Sequence, residues 1–150
     1  MRHFDSRCGE MITQIHDDRR SYAMSTRETL PRVESYRDLL VWQLSTQLAV
    51  EVYRATDQFP SAQRFGLSSQ MQRAAVSVAS NIAEGHGQWS RGSYVRHLGV
   101  ARGSLKELET QLEIEMQLSF LESERHAALQ ALCDRISQLL TNLRRALNRK

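Results

Sequence analysis

The 150-residue chain carries 20 basic against 17 acidic side chains and is 41% hydrophobic, a balance that fits one ordinary domain able to bury a core without disulfides or a structural metal. No stretch approaches the roughly 20 uninterrupted apolar residues that span a bilayer, and the N-terminal segment holds charges where a signal peptide holds its apolar run. Cys8 and Cys133 stand far apart with no disulfide or metal-ligand spacing, so a reducing, cytoplasmic setting without membrane association is expected.

Residues 1–34 are polar, mixed in charge and aperiodic up to Leu30 and Pro31, which predicts a flexible leader, with Met11 and Met24 leaving a later natural start open. Residues 35–150 carry four helical patterns. Ser35 and Asp38 form a capping-box pair, so the first helix is expected to start there. Val41, Leu44, Leu48, Val52 and Ala55 make one apolar stripe, and Leu39, Trp42, Ala49 and Tyr53 a second beside it. Phe59, Pro60, Phe65 and Gly66 punctuate the chain before a second helix with Leu67, Met71, Ala74, Val78 and Ile82 on its apolar face, ended by Gly85 and Gly87.

Ser90 is an N-cap candidate for the third helix, whose Tyr94, Leu98, Ala101, Leu105, Leu108 and Leu112 step by four and three residues through the most regular seam in the chain. A break over residues 119–122 and a cap at Ser123 precede the fourth helix, where Leu129, Leu132, Ile136, Leu139, Leu143 and Leu147 repeat that spacing. The expected fold is all-α: an up-down-up-down antiparallel four-helix bundle behind a flexible N-terminal leader.

Catalytic signatures are sparse. A di-metal carboxylate bundle needs inward Glu-x-x-His pairs, and none of His3, His16, His86, His97 or His126 follows a glutamate at that spacing. The run from Gly85 to Ser90 looks superficially like a phosphate loop but joins two helices and lacks the preceding strand and the lysine. No serine elbow, Cys/His nucleophile pair or zinc spacing is present. A non-enzymatic protein with no cofactor or metal is expected.

Three surfaces stand out instead. Gln70, Arg73, Ser77, Asn81 and Glu84 share one flank of the second helix, readable as a solvated face or as a polar network fixing helix or subunit register. Gly92, Arg96, Gly99 and Gly103 lie opposite the leucine seam of the third helix. A helical glycine costs about 1 kcal/mol against alanine, so the pattern fits either close approach by another backbone or a weakly selected surface. Arg91, Arg102 and Lys106 align between seam and back as a basic ridge, with His86 and Trp89 nearby for stacking. The alternative is a salt-bridged solvent face, since Glu107 and Glu109 are close. Arginine supplies 18 of the 20 basic residues, which suits bidentate phosphate contacts but also follows from genomic base composition.

Several linked blocks carry a family resemblance: the segment from Tyr36 to Gln43, that from Val52 to Thr56, Phe59-Pro60, Phe65-Gly66-Leu67, the run from Gln70 to Gly85, and that from Ala101 to Leu112. Together they resemble the four-helix-bundle proteins first noticed in intervening sequences of bacterial 23S ribosomal RNA genes. The resemblance covers about residues 36–120. It implies a homopentameric ring, and kinship to basic accessory proteins of diversity-generating retroelements, which bind a reverse transcriptase and nucleic acid. The chain departs from those in its modest positive excess and in its leader. The expectation is thus a ring-forming scaffold that binds RNA, DNA or a ribonucleoprotein partner through Arg91, Arg96, Arg102 and Lys106. Gln70, Arg73, Asn81 and Glu84 are expected in a polar network or subunit contact, and Trp42, Tyr53, Gly99 and Gly103 at the oligomer contact. The alternative is a protein-interaction module without nucleic-acid binding.

Overall fold

The computed structural model describes residues 33–149, so the expected leader lies outside them except for its last two positions. Four helices follow, α1 (Leu40–Thr56), α2 (Leu67–His86), α3 (Arg91–Leu118) and α4 (Ser123–Asn148), with short 3-10 turns at Tyr36–Asp38 and Ser61–Gln63. Consecutive helices pack side by side and α1 also packs on α4, while the backbones of neither diagonal pair come close. Gln72 Nε2 near the start of α2 donates to Thr56 Oγ1 at the end of α1, and Glu115 near the end of α3 meets His126 near the start of α4. Neighbours therefore run antiparallel, which is the expected up-down-up-down bundle.

Local chemistry sets most boundaries. Ser35 and Asp38 do form a capping box, but it closes only the 3-10 turn. Leu39 leaves helical conformation with φ −78° and ψ 116°, so the α-helix itself begins at Leu40. Ser90 caps α3 as expected, its hydroxyl accepting from the Ser93 N–H at 3.1 Å. At α4 the cap is one residue earlier than expected: Glu122 takes the extended N-cap conformation without a side-chain bond, and Ser123 is the first helical residue. Gly85 does not end α2. It is a buried helical residue, and the helix stops at Gly87, which is right-handed with φ −75°.

The α3 residues Leu98, Ala101, Leu105, Leu108 and Leu112 meet Met71, Ala74, Ala75, Val78 and Ile82 of α2 and Leu48, Val52 and Ala55 of α1 in one buried core. In α4 the expected ladder is rotated. Leu129, Cys133, Ile136 and Leu140 are buried, whereas Leu132, Leu139, Leu143 and Leu147 are half-buried on its flanks. Both ladders share Leu129 and Ile136, and at 3.6 residues per turn either can centre on the core. Burial, aided by nearby Glu109 and Asp134, pushes the Cys133 thiol up to about 12, so at neutral pH it is a core filler and not a nucleophile.

Aromatic contacts close both ends of the bundle. Phe59 packs on Phe120 at 5.3 Å between ring centres at one end. At the other, Trp42, Tyr36, His86 and Tyr94 make a chain of edge contacts. Among the described residues, no helix is long and apolar enough to cross a membrane.

The α3–α4 turn rests on Ser119, whose φ of 57° and ψ of 41° place it in the left-handed region. That conformation costs a residue with a Cβ roughly 1–2 kcal/mol. Ser119→Gly is expected to raise stability by about 0.5–1 kcal/mol, the gain being limited by glycine's larger unfolded-state entropy, as read from the urea midpoint at unchanged m value.

Candidate functional site

The distribution of charge along the two longest helices defines the site. In α3 the cations Arg91, Arg96, Arg102 and Lys106 all precede the carboxylates Glu107, Glu109, Glu113 and Glu115. In α4 the last carboxylate is Asp134, and Arg144 and Arg145 follow it in the final turns. Because α3 and α4 are antiparallel, the arginine-bearing start of α3 lies beside the arginine-bearing end of α4.

Between them runs a groove of about 290 Å³ lined by Leu98 and Arg102 of α3 and by Leu140, Thr141, Arg144, Arg145 and Asn148 of α4. Leu98 and Leu140 form a buried floor; the arginines and Asn148 form an exposed rim. Among the described residues, none of Arg91, Arg96, Arg102, Arg144 or Arg145 has a carboxylate within 4.0 Å. Arginines elsewhere do find partners: Arg54 lies 2.7 Å from Glu51, and Arg125 3.9 Å from the same carboxylate. Arg91 also occupies the first turn of α3, where no acidic residue stands and where the helix dipole disfavours a cation by about 0.3–1 kcal/mol. Helix stability does not explain its presence there.

The expected ridge is divided by the structure. Arg102 and, by helical spacing, Arg91 lie on the flank facing α4. Lys106 is turned along the helix and ion-paired with Glu109, which leaves it less available. Arg96 is exposed on the outer face with the glycines. Trp89 is fully exposed in the α2–α3 turn, while His86 is held edge-on to Tyr36 and Tyr94. Sequence reading passed over Arg144 and Arg145; the signal was the absence of any carboxylate after Asp134.

The polar flank of α2 becomes a short interhelical network. The Ser77 and Ser104 hydroxyls share a 2.8 Å hydrogen bond, and Asn81 Nδ2 donates to the Ser77 carbonyl and hydroxyl oxygens. Asn81 Oδ1 lies 3.3 Å from His97 Nδ1, which is also 3.7 Å from Glu84 Oε2. With Asn81 presenting its oxygen, His97 Nδ1 is the donor. Gln70 and Arg73 are exposed and take no part. His97 reaches no hydroxyl within this network, so the serines lack the adjacent base that nucleophilic catalysis requires.

The back of α3 is open. An added Cβ at Gly92, Gly99 or Gly103 would meet nothing within 4 Å, and Val100 and Ile114 near this face are 49% and 46% exposed. Of the residues expected at an oligomer contact, Tyr53 is half exposed, whereas Trp42 is partly buried against Tyr36 and the core.

Residues 37–142 match the family model described as 23S rRNA-intervening sequence protein. The chain belongs to this family. A structural relative of the 23S rRNA-intervening sequence bundle is a protein with unknown function from the S23 ribosomal protein family of Bacteroides thetaiotaomicron. It is 23% identical, is matched over 69% of this chain and 97% of its own, and superposes with a TM-score of 0.65. At that identity the likeness speaks for the fold alone. No curated protein matches the sequence.

Proposed function

We propose that this member of the 23S rRNA-intervening sequence family is a non-enzymatic, ring-forming scaffold that binds RNA or a ribonucleoprotein partner through the adjoining basic halves of α3 and α4. The observation that carries the reading is the set of arginines, Arg91, Arg102, Arg144 and Arg145, gathered on one side of the bundle without carboxylate partners among the described residues. Solvated arginines with free forks suit backbone phosphates. A homopentamer would repeat the surface five times and turn a weak single-subunit patch into a multivalent one. DNA or a reverse transcriptase is the further partner class implied by the resemblance.

Anisotropy of a labelled structured RNA over a salt series tests the reading. Three or four phosphate contacts per subunit give a slope of log affinity on log salt of about −2 to −3. Arg102→Glu combined with Lys106→Glu is expected to abolish binding near physiological salt with helicity unchanged. Absence of binding at low salt, or binding indifferent to salt, overturns it. Light scattering showing a monomer at micromolar concentration counts against the ring.

A second reading, docking of a protein partner without nucleic acid, draws on the open glycine face and the exposed Val100 and Ile114. A partner complex that survives nuclease and high salt favours it.

A further inference from the structure

We propose that the groove between α3 and α4 is a phosphate-binding site, with Arg102 on one wall and Arg144 and Arg145 on the other. The assignment rests on the nucleic-acid reading for the source of its phosphate, and on the groove itself for the anion.

Two arginines near the end of α4 have an ordinary explanation, because cations are favoured at a helix C-terminus. Arg102 has none. It lies in the first half of α3, faces the same concavity, and has no carboxylate partner among the described residues. No acidic side chain lines the groove from either helix, so the guanidinium groups repel one another across it and an anion between them relieves that repulsion. The floor is dry, Leu98 and Leu140 being 2% exposed each. An apolar floor lowers the local dielectric and strengthens charge-assisted bonds above it. Asn148 adds an amide at the rim. Thr141 spends its hydroxyl proton on the Ser137 carbonyl at 2.9 Å and serves as wall, not donor.

The groove's 290 Å³ is near the lower end of small-molecule clefts, roughly 300–1,000 Å³, and has room for one phosphate and part of the group attached to it. That phosphate comes either from a nucleic-acid backbone or from a free phosphate compound.

The test uses the full chain and two readouts. Thermal unfolding is followed while inorganic phosphate replaces chloride at constant ionic strength, and RNA affinity is measured in parallel, for wild type, the Arg144→Gln/Arg145→Gln variant and an Arg54→Gln control on α1, away from the groove. The expected result is a saturating upward shift of the melting midpoint in wild type and control that is lost in the double variant. A roughly tenfold loss of RNA affinity in the double variant assigns the phosphate to the RNA backbone. A phosphate-dependent shift with unchanged RNA affinity, or with no RNA binding by wild type, supports the site with a free phosphate as its ligand and, in the latter case, removes the nucleic-acid function alone. No midpoint shift in wild type, or an equal shift in the double variant, overturns the site whatever RNA does.

Discussion

Glu115→Ala is expected to destabilise the bundle by about 3–5 kcal/mol, the largest loss for any single polar side chain in the described structure. Glu115 is wholly buried near the end of α3. One carboxylate oxygen accepts the Leu121 N–H of the α3–α4 turn at 2.7 Å, and the other lies 3.0 Å from His126 Nδ1 on α4. The side chain thus ties the end of one helix, the turn and the start of the next. Alanine orphans two partly buried donors, each at up to about 1–3 kcal/mol, and leaves the space of the carboxylate empty. Domains of this size have roughly 5–15 kcal/mol to lose, so the variant should be partly unfolded at modest urea concentrations. Glu115→Gln keeps one acceptor and is expected to fall between. Glu113→Ala, on the exposed side of the same helix, is the control and should stay within about 0.5 kcal/mol of wild type. A loss below about 1 kcal/mol for Glu115→Ala would show that water or a rearranged turn replaces both bonds.

Gly85→Val should lower stability by about 1–3 kcal/mol through overpacking. A Cβ at Gly85 falls 2.7 Å from Tyr94 Cδ2 and 2.9 Å from His97 Cβ, closer than packed carbons approach. Tyr94 is itself held edge-on to His86, so it has little room to yield. Valine recovers only a few tenths of a kcal/mol of helix propensity over glycine, and the steric term wins. The matching measurement is the melting midpoint, with a drop of roughly 2–8 °C per kcal/mol across this size range. Gly99→Ala makes the opposite comparison. Its Cβ meets open space, so alanine should stabilise the single bundle by up to about 1 kcal/mol. If that substitution also weakens assembly by light scattering, the glycine face lies in the subunit contact; assembly unchanged removes it from that contact.

Much of the architecture was legible in the residues. The α3 seam is read correctly because its large leucines repeat at alternating steps of three and four, a pattern that leaves one face to bury whatever it packs on. Ser90 is read correctly because a cap is local chemistry within one turn. The α4 ladder was misread because Leu129 and Ile136 belong to two ladders, and the roll of the helix against α1 and α3 chose the one through Cys133 and Leu140. Gly85 was misread as a terminator because a glycine required by close helix packing and a glycine ending a helix look the same in one dimension.

The candidate site divides along the same line. Residue order alone determined the helical stripes of α1, α2 and α3 and the cations of α3, which depend on spacing within one helix, and the resemblance to the 23S rRNA-intervening sequence proteins, which depends on linked blocks along the chain. Only the tertiary structure decided that Arg102 shares a groove with Arg144 and Arg145, and that Asn81 and Glu84 converge on His97 while Gln70 and Arg73 remain in solvent. The physical reason is antiparallel packing, of α2 on α3 for the His97 network and of α3 on α4 for the groove, where side chains some forty positions apart in the chain enter one concavity. No period within a single helix encodes that meeting.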